Sequence, residues 1–234
     1  MEIIEFHHFS SFYIDAAGVL KKNKPWLHPT RNWDILVLAY MDKGSLVLYE
    51  DSQELNITDQ TFYVLFPNRT HYATSMSSGQ LLLPWIHLVY HHAKPRTVNH
   101  VPLVYSSEIP SNEDSYGKIY IPSIWKVQNT EYVKSKFLET YRLHSKKDPY
   151  SHNRAILTVM EILMHLCTEY LADPEIRRKE IEANPMKRLG TARQIGDAVV
   201  FLASEEAMQV NGHLLMVDGG LTVKAAQPDD HMEH

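Results

Sequence analysis

Between Asp34 and about Tyr105 the chain is cut into short β-rich runs with turn chemistry after each of them. "ILVLAYM" is closed by "DKG", "SLVLYE" by "DSQ", "ELNI" by "TD", "FYVLF" by "PNRT" and "LLLPWIHLVY" by "HHAKP". Strands joined this tightly run antiparallel, because a parallel neighbour needs a crossover of a dozen or more residues. The span is read as an antiparallel barrel or sandwich. The βαβ alternation of a nucleotide-binding sheet is excluded from it.

After Pro122 the period changes. "SIWKVQNTEYVKSKFLETYRLHSKK" and "HNRAILTVMEILMHLCTEYL" space their apolar residues by three and four, the second at Ile156, Val159, Leu163, Leu166 and Tyr170. Both are predicted helices. "KKDPYS" breaks them apart, and "ADPE" supplies a second break, with Asp173 as cap and Pro174 in the first turn of the next helix. Further expectations are a helix over Glu175 to Ala183, a helix over Ala192 to Ser204 behind the capping pattern Thr191 to Gln194, and a strand over His213 to Asp218. The closing "AAQPDDHMEH" is expected to be disordered.

Composition narrows the function. An apolar content of 44% suffices for a core, and a net charge of −5 is not the footprint of a nucleic-acid binder. Residues 172–234 hold 7 Lys and Arg against 11 Asp and Glu, so the acidity is concentrated there. One cysteine, Cys167, gives neither a disulfide framework nor a thiolate cluster for a metal, and fits a reducing compartment. The start "MEIIEFHHFSSFYI" lacks the pattern of a signal peptide, and no stretch reads as apolar enough to span a bilayer. The chain is expected to be a soluble cytoplasmic protein.

The order "RNWDILVLAYMDKGSLVLYEDSQELNITDQTFYVLFPNRTHYA…LLLPWIHLVYHH" followed by two helices resembles the N-terminal sensing domain of AraC-type transcription regulators, over about Arg31 to Leu171. The resemblance implies a cupin-like antiparallel barrel at 1–121 and a helical dimerisation element at 122–172; with the short helix–strand tail at 173–234, expected not to be an independent domain, the fold is expected to be α+β, mainly β. The resemblance also implies a small effector inside the barrel, often a sugar in that family, and a homodimer. From the residues alone, the apolar stripe of the second helix can pack on its own barrel or on a second copy.

On "LLLPWIHLVY", Trp85, His87 and Val89 share one face and Ile86, Leu88 and Tyr90 the other. The resemblance places Trp85 and His87 on the inner wall, where an indole can stack under a ring and an imidazole can bond a hydroxyl. His71, on a neighbouring strand end, joins them, with Tyr49, Arg31 as partner for an anion, and Trp26 on an arm over the barrel mouth. Buried Trp and His are equally read as core residues. A metal-dependent cupin enzyme needs two histidines one residue apart plus a carboxylate. "GSLVLYEDSQELNI" has no histidine, and His91 and His92 are adjacent and so face opposite sides of a strand.

"NPMKRLGT…IGDAVVFLASEEA…VNGHLLMVDGG" resembles the C-terminal segment of short-chain dehydrogenases/reductases over about 184–220. That family's hydride transfer requires a Gly-rich phosphate turn and a Tyr with a Lys four residues on. The glycines at 18, 44, 79 and 117 are too scattered for such a turn, and Tyr-x-x-x-Lys occurs as both Tyr132/Lys136 and Tyr90/Lys94. No catalytic residue and no cofactor is therefore assigned, and a fusion near Asp173 to Asn184, natural or man-made, is expected. AraC-type regulators end in basic helix-turn-helix units, whereas the segment after Leu171 is acidic here, so DNA binding is not expected. The alternatives are an NAD(P)-dependent short-chain oxidoreductase and a complete transcription regulator whose tail still binds DNA.

Overall fold

A computed structural model describes residues 3–6, 12–90, 96–98, 119–188, 190–211, 215–217 and 219–220. It divides into two compact units, 1–104 with 110–170, and 105–109 with 171–234.

The first unit is built on β2 (Phe12–Lys22), β3 (Leu36–Met41), β6 (Thr61–Leu65), β8 (Leu81–Tyr90) and β11 (Ile124–Lys126), ordered β11-β6-β3-β8-β2 and antiparallel throughout. A second sheet, β5-β4-β7, joins β4 (Leu46–Glu50), β5 (Gln53–Ile57) and β7 (His71–Tyr72). A third joins β1 (Ile3–Phe6), β9 (Arg96–Val98) and β10 (Ile119–Pro122), with β1 central. The β4–β5 hairpin turns on Asp51 and Ser52, both at positive φ (45° and 76°), the type I′ geometry that matches strand twist.

β3 explains the architecture. All six of its residues are buried, Leu36, Leu38 and Tyr40 in one apolar cluster with the helices and Val37, Ala39 and Met41 in another with the β4–β5 hairpin. The five-stranded sheet is thus covered on both faces, which turns a two-residue alternation into a continuous apolar run. β8 divides in the same way: Ile86 and Leu88 join the helix-side cluster, and Leu81, Leu83 and Trp85 the other.

α1 (Thr130–His144) and α2 (Pro149–Ala172) form the helical cover. Asn129 caps α1, and Glu169 of α2 accepts from the Gln128 and Asn129 amides and from Trp125 Nε1, tying the two helices and β11 together. Asp148 caps α2 through the Ser151 amide.

Three expectations are corrected. The ladders among the described residues form three sheets and no closed barrel, because closure depends on edge-to-edge register, which local patterns do not encode. The fold is not mainly β, since helix accounts for about 35% and strand for about 31%. α2 also contains an 18-residue window of mean hydropathy 1.4, apolar and long enough by composition to cross a membrane. That window is a core stripe: Ala155, Val159, Ile162, Leu163 and Leu166 are fully buried in the helix-side cluster. The stripe that could have served a dimer contact is therefore occupied within the chain.

In the second unit α3 (Pro174–Ala183) begins on Pro174, with Asp173 Oδ1 accepting from the Glu175 and Ile176 amides, and α4 (Ala192–Leu202) begins on a Thr191–Gln194 capping box. The buried Asn184 side chain accepts the Met186 amide and packs beneath Gly219, whose φ of +67° and missing Cβ allow the approach. Of the strand expected over His213 to Asp218, Leu215, Met216 and Val217 are described, and they form no strand. A strand exists only through ladder partners, and these residues have none among the described ones. The remaining positions of that strand, and the tail expected to be disordered, lie outside the described residues.

Candidate functional site

The segment from Asn23 to Ile35 is irregular because Pro25 and Pro29 withhold amides from any ladder. It is pinned along residues 68–77 instead. Trp26 and Ser77 bond twice, Trp26 N to Ser77 Oγ (3.0 Å) and Ser77 N to Trp26 O (2.9 Å). Arg31 and His71 exchange backbone bonds of 2.9 Å, and the Asn68 amide donates to Trp33 O (2.8 Å). These bonds bring the loop's rings onto the face of β8 that carries Trp85 and His87.

The result is two strings of rings that meet at Arg31, whose backbone pairs with His71 and whose side chain lies over Trp33. Trp26 meets His28 edge-on at 5.3 Å between ring centroids, and His28 meets His71 at 5.3 Å. Trp33 meets His87 at 5.9 Å, and His87 lies against Trp85 at 4.4 Å. The Arg31 guanidinium sits 4.5 Å over the Trp33 ring. The Trp85 indole lies across Gly18 of β2, where any Cβ would come within 2.6 Å of it, so the bare backbone is what admits the ring.

Charge in this group is unbalanced. His71 and His87 are 5% and 9% exposed. Burial, together with the charge of His71 and Arg31, pushes His28 down to about 4, although the Pro29 carbonyl acts the other way. His87 is also pushed down to about 4, by burial first; Asp15 opposes the shift, and Arg31 and His71 reinforce it. His71 is lowered by burial and by Arg31 against the Arg69 carbonyl. The Nδ1 atoms of His28 and His71 are buried with no hydrogen-bond partner. Among the described residues no carboxylate pairs with Arg31, and the nearby ion pair joins Glu50 to Arg69 instead (3.1 Å).

Five of the six expected site residues, Trp26, Arg31, His71, Trp85 and His87, are brought together here. Tyr49 is not. Leu46 and Leu48 turn into the core and Tyr49 points to the opposite face of β4, where it stacks on Tyr72 (5.4 Å) and donates to Glu54 Oε2 (2.8 Å). Sequence reasoning misses His28 and Trp33. The density of rings in "WLHPTRNW" is the available signal. His91 and His92 lie outside the described residues.

The Tyr132/Lys136 pair has a structural setting. Lys136 Nζ is held by Glu161 (2.6 Å) and Glu139 (3.1 Å), which raise its proton affinity, and the Tyr132 ring packs on His165 at 4.4 Å. The partner of Tyr90, Lys94, lies outside the described residues. In the second unit, a cavity of about 360 Å³ is lined by residues including Met186, Thr191, Gln194, Met216 and Gly219.

Comparison with known proteins finds a family match in the C-terminal segment. A family model described as enoyl-(acyl carrier protein) reductase matches residues 160–222. The segment is 48% identical over 52 residues to 2-(R)-hydroxypropyl-CoM dehydrogenase of Xanthobacter autotrophicus, covering 22% of this chain and 21% of that protein. It is 44% identical over 54 residues to glucose 1-dehydrogenase of Gluconobacter oxydans, covering 23% and 20%. Among solved structures, unsaturated fatty acid bound wild-type ToxT from Vibrio cholerae aligns over 88% of this chain and 76% of its own, at 13% identity and a TM-score of 0.34. The Schizosaccharomyces pombe Cnp3 cupin domain aligns over 37% and 61%, at 10% identity and a TM-score of 0.28. Structural likenesses at this level do not define a fold. The chain spans about a fifth of the length of the dehydrogenases it matches, in a segment that includes none of the tryptophan–imidazole group.

Proposed function

We propose that the first unit is a non-catalytic, small-molecule-binding sensor domain linked to transcription regulation, with Trp26, His28, Arg31, Trp33, His71, Trp85 and His87 as its binding group. The observation that carries this reading is a set of buried polar atoms without partners, the Nδ1 atoms of His28 and His71, beside an arginine that pairs with no carboxylate among the described residues. Unmet hydrogen-bonding capacity in a buried place costs about 1–3 kcal/mol per group, a cost that a ligand relieves. Binding displaces the ring-bearing loop on β8 to admit the ligand and passes the change to the sheet and its helical cover.

The sensor is proposed to work as a homodimer. With the α2 stripe buried in its own sheet, the surface left for pairing is the outer one, where Tyr150 and Leu157 are 84% and 64% exposed. Thermal-shift screening against sugars and small acids tests the reading, because a ligand at a hundred times its Kd raises stability by about 2.7 kcal/mol. Trp85→Ala and His87→Ala are expected to weaken a binder by about tenfold or more, equivalent to about 1.4 kcal/mol, with the far-UV spectrum unchanged. Normal affinity in both variants removes the group from the function.

The second reading is an NAD(P)-dependent short-chain oxidoreductase, favoured by the family-model match and by the cavity of the second unit. Saturable micromolar binding of NADH or NADPH, followed by fluorescence, would establish it over the first. A complete regulator whose tail binds DNA is distinguished by a mobility shift that fades steeply with salt.

A further inference from the structure

The binding group has a definite chemical signature. Arg31 is a permanent cation with a planar fork that matches a carboxylate, and its Cζ lies 4.5 Å from the centroid of the Trp33 ring. No carboxylate answers it among the described residues, and Asp15, which acts on His87, is exposed on β2. A neutral sugar would leave this half-buried cation to solvent, whereas a carboxylate pairs with it. The imidazoles of His28, His71 and His87 are held towards the neutral form, so a single positive charge is available and a monoanion balances it where a phosphate dianion does not.

The unpartnered Nδ1 atoms add a second requirement. A neutral imidazole nitrogen is either donor or acceptor according to tautomer. A hydroxyl serves both roles and satisfies His28 and His71 in either state, whereas a carboxylate oxygen only accepts. The third requirement is a flat face, set by Trp85, which lies over Gly18 and against His87.

Resting on the reading of this group as a binding site, we propose that its ligand is a small ring-bearing hydroxy-carboxylate. Its carboxylate lies on Arg31, its hydroxyls meet the imidazoles of His28 and His71, and its ring packs against Trp85. Two sources share this chemistry, a sugar acid and a hydroxylated aromatic acid.

The test uses the full chain, with tryptophan fluorescence and thermal shift read against galacturonate and galactose, and against 4-hydroxybenzoate and benzoate. One of the two hydroxy acids is expected to bind saturably, with its neutral or hydroxyl-free counterpart about tenfold weaker or more. The acid that binds identifies the source. Arg31→Gln is expected to abolish the preference for galacturonate over galactose, or to lower hydroxybenzoate affinity about tenfold, while Arg31→Lys retains part of it. Galactose binding as tightly as galacturonate, lost in Trp85→Ala, would overturn the ligand class and keep the site. Binding unaffected by Arg31→Gln, Trp85→Ala and His87→Ala would overturn the site itself. No saturation by any of the four up to about 10 mM, equivalent to less than about 3 kcal/mol of binding energy, would overturn the class.

Discussion

β3 and the Leu215–Val217 stretch are both runs of consecutive apolar residues, and they meet opposite fates. Every residue of "LVLAYM" is buried between two covers, while Leu215, Met216 and Val217 are 40%, 51% and 43% exposed and lie outside any ladder. The α4 segment repeats the lesson, with Val199, Val200 and Leu202 all exposed. An apolar run specifies a buried strand or helix only where the same chain supplies both the hydrogen-bonding neighbours and the facing layers. The first unit supplies them for β3. The second unit has caps and turns that satisfy the backbone locally, with few apolar layers among its described residues.

The widest separation between the two units is expected in side-chain truncation. Leu163→Ala, at a fully buried position of α2, is expected to cost about 2–5 kcal/mol by denaturant unfolding. Leu202→Ala, at a 43% exposed position of α4, is expected to stay within about 0.5 kcal/mol. Equal costs would show that the second unit has a core of the same quality, and the comparison would fail.

A smaller effect is expected from pH, and it belongs to the first unit. His28 and His87 titrate near 4 in the folded chain against an ordinary value of 6.5, and His71 and His144 are displaced in the same direction. Between these values the unfolded chain takes up protons that the folded chain refuses. The stabilisation is therefore complete above about pH 6.5 and is lost as the pH falls towards 4. The thermal midpoint is expected to fall across that window, and His28→Gln with His87→Gln to flatten the slope. An unchanged slope in the double variant would mean that these imidazoles are not held neutral. The lowered carboxyls of Asp148 and Glu175 begin to lose their contribution only as the pH falls below their ordinary values, at the acid end of the window and beyond it.

The smallest effect sharpens the comparison most. Deleting residues 184–234 is expected to leave the unfolding midpoint of the first unit within about 0.5 kcal/mol of its starting value, because its apolar clusters are drawn from residues 4–167. Precipitation or a large loss of stability in the truncated chain would make the second unit an integral part of the fold.

What is legible in the sequence is what local physics decides. The alternation along "LLLPWIHLVY" correctly divides Ile86 and Leu88 from Trp85, because a strand's period of two is fixed by its backbone. The Thr191–Gln194 box and the Asp173–Pro174 start are legible for the same reason. Long-range closure is not. The three sheets traced among the described residues and a closed barrel use the same strands and turns, and differ only in which edges meet. His28 and Trp33 escape a sequence reading because a loop with two prolines has no period, and its rings reach the site through bonds to residues 68–77 that sequence spacing does not predict. The strand expected over His213 to Asp218 rests on apolarity alone, which names no neighbour to complete its ladder.

The course of α2 has a practical consequence for anyone dividing this molecule. Similarity to the reductase family begins at residue 160, in the middle of that helix, yet Ile162, Leu163 and Leu166 further along it are fully enclosed by the first unit. Homology and folding thus draw their borders in different places, about ten residues apart. A cut made where the homology starts would strip three anchor side chains from the sheet's helical roof, whereas one made after Tyr170 would spare them.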